Sequence, residues 1–208
     1  MSNPISNERF EQAYTYEGYR NLMTNLLAQG KTTGPNGEKP DMVEYTRVNA
    51  QRMHRLETTI TLNPELVAAL KASKPLRWTV LSEPWCGDVA QNLPTIAQMA
   101  KASEGKIELR ILLRDENLDI MDQFLTNGTR SIPVLIAQDT ATGTVVGRWG
   151  PRPAAVQQMV QEYKKNPTKT FKEYAAEVHA WYAQDKTQTL QAEFLVLIAE
   201  WQHASVSA

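Results

Sequence analysis

Apolar and polar positions follow a helical period up to about residue 74. The strand-like runs begin after that. Residues 8 to 29 carry Phe10, Tyr14, Leu22, Leu26 and Leu27 at roughly helical steps and predict one helix. The glycine- and proline-rich "GKTTGPNGEKP", 30 to 40, reads as a loop. A second helix follows, with Tyr45, Val48, Met53, Leu56 and Ile60 as its apolar stripe. "NPELVAALKAS" predicts a third, short helix with Asn63 as N-cap and Pro64 at the first helical position.

Short strand-like runs then alternate with helices. "RWTVLS" (77–82), "IELRILL" (107–113), "PVLIAQ" (133–138) and "TVVGRW" (144–149) predict strands, the last two joined by a hairpin turn at "DTATG". "VAQNLPTIAQMAKAS" (89–103), "LDIMDQFL" (118–125) and "PAAVQQMVQEYKK" (153–165) predict helices. The order β-α-β, helix, β-β-α forces two parallel strands with a right-handed crossover and adds antiparallel neighbours. An α/β fold with a mixed sheet of about four strands and helices on both faces is expected. Residues 170 to 204 predict two more helices, the first with Thr170 and Glu173 at capping-box spacing. The whole chain is read as one domain: a helical extension over 1–74, a core over 75–166, and C-terminal helices over 167–208 that pack on the core.

Composition narrows the partners. Apolar residues make up 42% and charged residues 22%, with a formal charge of −1. No basic surplus favours nucleic acid or anionic lipid. The longest apolar run, "FLVLIA", is too short to span a bilayer, and "MSNPISNERFEQAY" lacks the apolar region of a signal peptide. A single cysteine cannot form an internal disulfide, so the expected compartment is the cytoplasm. His54, His179 and His203 are scattered and read as surface or packing residues, so no metal site is expected. "GKTTG" contains the Gly-Lys-Thr of a phosphate loop, but no strand precedes it and Gly34, Pro35 and Gly37 block the helix that should follow. The apolar C-terminal helices must be covered by the rest of the chain or by a second copy, so monomer and homodimer both stay open.

The sharpest chemistry lies in "SEPWCGDVAQNLP", residues 82 to 94, which holds the lone Cys86. Cys86 follows a predicted strand and precedes a predicted helix. The unpaired N–H groups of a first helical turn favour a thiolate and lower a cysteine pKa from ~8.5 to roughly 3.5–7.5. Asp88 acts the other way, because a nearby carboxylate repels the thiolate. A lone cysteine is more often a buried structural residue; the flanking Pro84, Trp85, Gly87 and Asp88 set this one apart.

The segment from Trp78 to about Tyr163 resembles the thioredoxin family. Trp85, Cys86, Gly87 and Pro94 match its Trp-Cys-Gly-Pro-Cys stretch and the proline that kinks the following helix. Asp88 stands where the family has proline, and Val89 where it has the second cysteine. "TRSIPVLI" matches the segment around the family's cis-proline, which implies a cis Ile132–Pro133 bond facing Cys86. "RWGP" matches the end of the last strand, with Gly150 beside the site. The whole chain resembles a bacterial subgroup of thioredoxin-like proteins with a helical N-terminal extension and a Trp-Cys-Gly-Asp motif. In the family, the backbone of the residue at Ile132 pairs with an extended substrate segment. The resemblance further implies that Gly150 lets a substrate approach and that Trp85 presents an aromatic wall.

The departures define the functional question. Val89 cannot resolve a mixed disulfide. The family's buried acid aligns with Val80, which has no proton to transfer. A self-sufficient dithiol reductase is therefore not expected. The leading reading is monothiol exchange at Cys86, a thiol-disulfide oxidoreductase-like activity. The substrate would be a disulfide-containing protein or a small thiol, resolved by an external thiol such as glutathione and needing no cofactor. Trp85, Gly87, Asp88, Ile132, Pro133, Gly150 and Arg152 would frame the substrate, and Arg130 or Arg152 would meet a carboxylate of a small thiol. Oxidant sensing through a sulfenic acid is a second reading. A non-catalytic groove that binds a peptide or protein is the third.

Overall fold

The structure is a computed structural model and describes residues 3–204. Its sheet has four strands: β1 (Leu76–Ser82), β2 (Ile107–Leu113), β3 (Val134–Asp139) and β4 (Val145–Trp149), in the order β2-β1-β3-β4. β1 runs parallel to β2 and antiparallel to β3, and β3 pairs antiparallel with β4. Helix α5 (Gly87–Ala102) makes the crossover from β1 to β2. This is the mixed α/β sheet expected from the strand pattern. A run as apolar as β1 needs cover on both sides. Trp78 of β1 meets Phe194 and Trp201 of the last helix at ring distances of 5.3 and 6.1 Å, while Arg77 stacks on Phe10 of the first.

The N-terminal segment differs from the single helix expected over 8–29. It forms α1 (Asn7–Gln12) and α2 (Tyr16–Ala28). Between them the chain straightens so that Tyr14 and Ile111 exchange backbone hydrogen bonds of 2.9 and 2.8 Å at the edge of β2. Two ladder bonds at an open strand edge outweigh the continuity of a helix. Thr15 then caps α2 by accepting from the Gly18 N–H at 3.0 Å. Helix α3 (Pro40–Thr59) buries Val43, Thr46, Asn49 and Met53. Its inward face is rotated from the expected stripe, and Tyr45 is 51% exposed. Helix α4 (Pro64–Lys71) starts as expected, with Asn63 accepting from the Glu65 N–H at 2.8 Å.

After β2, helix α6 covers only Leu118–Met121 rather than 118–125. Its end tightens, with the Gln123 and Phe124 N–H groups donating to Ile120 and Met121, and the chain then enters a turn in which Thr126 and Thr129 bond each other's backbone and Asn127 and Gly128 take positive φ. Helix α7 (Ala154–Lys165) follows β4, and α8 (Phe171–Asp185) opens with the full Thr170–Glu173 capping box, which stabilises it by about 1 kcal/mol. Lys186 and Thr187, both left-handed, turn the chain into α9 (Gln188–His203). The aromatic residues of α9 lie on the sheet. Its Gln191 accepts the Asn63 N–H at 2.7 Å, which ties the C-terminal helix to the N-terminal ones. No described helix is long and apolar enough to cross a membrane.

Candidate functional site

Strand β1 ends at Ser82, and the chain turns through Glu83, Pro84 and Trp85 to place Cys86 at the N-cap of α5, with φ −82° and ψ 122°. Two interactions fix the turn. Asn49 of α3 donates to the Pro84 carbonyl at 2.9 Å, and the Arg114 guanidinium sits 4.9 Å over the Trp85 ring. Buried Glu83 accepts from Thr33 and from the Asp115 N–H. The N-terminal extension thus holds the cysteine loop directly.

Opposite Cys86, the Ile132–Pro133 bond is cis, as is Gly150–Pro151. Cys86 Sγ donates to the Ile132 carbonyl at 3.4 Å. Ile132 is buried at 3% exposure, Pro133 is buried beside it, and the carbonyl is taken by the protein's own thiol. The fold itself requires glycine at position 150. Its φ is +122°, and a Cβ there would lie 2.2 Å from the Pro133 carbonyl oxygen.

Asp88 is held from three sides. Arg152 donates twice to Oδ2, at 2.6 and 2.9 Å, and the Tyr182 hydroxyl donates to Oδ1 at 2.8 Å. Asn92 donates to the Asp88 carbonyl at 2.7 Å and to the Tyr182 hydroxyl at 3.1 Å. Arg152 is thereby paired with Asp88, and the half-exposed Arg130 pairs with Asp122. The Cys86 pKa is pushed up to about 12, first by burial of the sulfur and then by the Asp88 charge. The backbone amides of Val89 and Asp88 and the Arg152 guanidinium act in the opposite direction without prevailing. Burial and the Asp88 charge both favour the thiol over the thiolate. Val89, in the position of a resolving cysteine, is 1% exposed, and Val80 is fully buried.

Residues beyond the motif complete the site. A cavity of about 550 Å³ opens over Cys86, with Trp85, Gly87 and Asp88 in its floor and α3, α7 and α8 as walls. Tyr45 and Arg52 come from α3, and Phe171, Tyr174 and His179 from α8. His179 was expected to be a surface or packing residue. Here its ring lies against Gly87, where an added Cβ would be 3.1 Å from Cε1, and its Nδ1 is 3.1 Å from the Gln91 amide. Burial and then Arg52 lower its pKa to about 4, so the ring is neutral. Nothing in the local sequence marked it, because it reaches the site through packing of α8. The exposed Tyr45 and Phe171, at 51% and 65%, sit at the cavity rim. A hydrophobic residue at the first position of α8, one past the Thr170 cap, was the available signal for the second. No cluster able to hold a metal ion occurs among the described residues.

A sheet of this order, with a helix-capping cysteine across from a cis-proline, defines the class: a thioredoxin-fold protein whose dithiol is reduced to one thiol. The chain belongs to the thioredoxin family. The family model described as Thioredoxin matches residues 38–164, which includes α3 and so extends beyond the segment that carried the sequence resemblance. Two solved structures share the architecture over nearly the whole chain. One is a protein of unknown function from Pseudomonas aeruginosa, 19% identical, covering 96% of this chain and 98% of that one with a TM-score of 0.62. The other is an HIV epitope scaffold, also 19% identical, covering 94% and 98% with a TM-score of 0.57. At that identity the likeness concerns the fold. No curated protein matches the sequence.

Proposed function

We propose that this protein is a thioredoxin-fold binding module that takes a small ligand into the cavity above Cys86, with the neutral thiol as part of the wall. The observation that carries this reading is the cavity itself. Its volume of about 550 Å³ falls within the roughly 300–1,000 Å³ usual for small-molecule sites, and α3 and α8, which lie outside the 75–166 core, join α7 to build its sides. The thiol's bond to Ile132 and the Asp88 charge beside it both favour the protonated sulfur, which is a poor nucleophile. The Trp-Cys-Gly-Asp sequence under a helical N-terminal extension supports membership of the subgroup that carries both. A lone cysteine agrees with a cytoplasmic location.

Monothiol exchange remains the second reading, because Cys86 lines the cavity and caps a helix. Two measurements separate them. Incubation with glutathione disulfide at neutral pH, followed by intact mass, reports on the chain's single cysteine. The binding reading predicts no adduct, whereas rapid stoichiometric addition supports exchange. The neutral probe N-phenyl-1-naphthylamine should bind the native protein with enhanced fluorescence, and Phe171→Ala should weaken it. No enhancement at all would defeat the binding reading.

A further inference from the structure

We infer that the ligand of this cavity is an organic anion: a small carboxylate with an apolar body, its charged end on Arg52. The inference rests on the binding reading above and adds the class of ligand. The lining carries three cationic residues, Arg52, Arg152 and Lys164, against one carboxylate, Asp88. Asp88 is already matched by Arg152 and Tyr182. Among the described residues neither Arg52 nor Lys164 makes an ion pair with a protein carboxylate. The Arg52 guanidinium is half-buried, and its one described bond is from Nη1 to the Asn49 side chain at 2.9 Å. The rest of its donor fork is free to meet a carboxylate in the paired geometry that guanidinium favours. A half-buried cation without a counter-charge costs stability, and an anionic ligand relieves that cost.

Other residues of the lining fit the same ligand. His179 is neutral, so the charge that meets the ligand has to come from the arginine. Tyr174 is 8% exposed, and its hydroxyl has no hydrogen-bond partner among the described residues, which leaves a donor for a ligand oxygen. Apart from Asn49 and Ser131, the remainder of the lining is apolar or aromatic, with Tyr45, Phe171, Val160 and the stacked Tyr163–Tyr174 pair, whose rings lie 4.0 Å apart. Such walls take the apolar body. Helices on three sides limit the ligand to a small molecule.

Calorimetric titration of the full chain with octanoate, 1-octanol and octylamine tests the assignment. Octanoate should bind on the order of tenfold or more tightly than 1-octanol, as one charge-assisted hydrogen bond allows, and octylamine should bind more weakly than either. Arg52→Gln should bring octanoate binding down to the level of 1-octanol in the same variant, and a circular dichroism spectrum like the parent's shows that the variant is folded. Arg52→Lys should restore part of the preference. Equal binding of octanoate and 1-octanol to the parent protein would overturn the anion assignment and leave the cavity reading standing. So would an Arg52→Gln variant that keeps its octanoate affinity. Failure of all three compounds, together with N-phenyl-1-naphthylamine, would defeat the cavity reading itself.

Discussion

Replacing Asp88 by asparagine removes one charge from a nearly buried pair and keeps the side-chain shape. Arg152 and Asp88 side chains are 13% and 16% exposed, and Arg152 makes two charge-assisted bonds of 2.6 and 2.9 Å to one oxygen. Charges about 4 Å apart at an effective dielectric near 20 attract by about 4 kcal/mol. Breaking a buried pair from one side costs about 3–5 kcal/mol, because the remaining charge is left without compensation. Partial exposure, and Gln157, which accepts from Arg152 Nη1 at 2.9 Å, reduce the cost. Asp88→Asn should therefore destabilise by about 3 kcal/mol, seen as a Tm lowered by roughly 6–12 °C for a chain of this size. Urea unfolding followed by circular dichroism measures it. The double variant Asp88→Asn with Arg152→Gln should be less destabilised than the sum of the singles, by about 1–2 kcal/mol. A single variant within about 0.5 kcal/mol of the parent, or strict additivity in the cycle, refutes the view that this pair pins α5 to the α7 side of the site.

Three further outcomes follow from the same geometry. Cys86→Ser keeps a donor toward Ile132 and should change stability at neutral pH by no more than about 1 kcal/mol, by urea titration. Because the folded thiol pKa lies above its ordinary value of 9.0, at about 12, the parent should lose stability as pH rises through that interval, and the serine variant should not. His179 has the opposite sign: its folded pKa of about 4 lies below the ordinary 6.5. Its contribution is complete above pH 6.5 and fades as pH falls toward 4, by about 1–2 kcal/mol once solvent screening of the partly exposed ring is allowed for. His179→Gln should flatten the stability profile over that range relative to the parent. Gly150→Ala should cost about 2–3 kcal/mol or more, since the new methyl meets the Pro133 carbonyl and the backbone stays at positive φ; a variant with the parent's urea midpoint would contradict that.

Local signals carried the sheet and the cysteine loop into view. Strand β2 occupies the residues read from "IELRILL", and the Thr170–Glu173 box begins its helix where its spacing placed it. Both depend on neighbours in sequence. What stayed hidden depends on partners far along the chain. The break at Tyr14 is set by Ile111 on an open strand edge, so helical spacing in residues 8 to 29 gave no warning of it. Tyr45 has the spacing of a core residue, yet α3 turns Asn49 inward toward Pro84 and leaves Tyr45 at the cavity rim. The Tyr182 hydroxyl reaches Asp88 across 94 positions, and His179 reaches Gly87 on the same helix face. Motif spacing located the thiol; only the packing of α3 and α8 revealed the cavity around it.

The central claim is that Cys86 is an unionised wall residue, and its titration by ultraviolet thiolate absorbance tests this most directly. The native protein should show a midpoint well above the ~8.5 of a free thiol, toward about 12. In Asp88→Asn that midpoint should move down, since the nearby carboxylate is gone. A native midpoint in the roughly 3.5–7.5 range of reactive cysteines would contradict the account and restore Cys86 as a nucleophile.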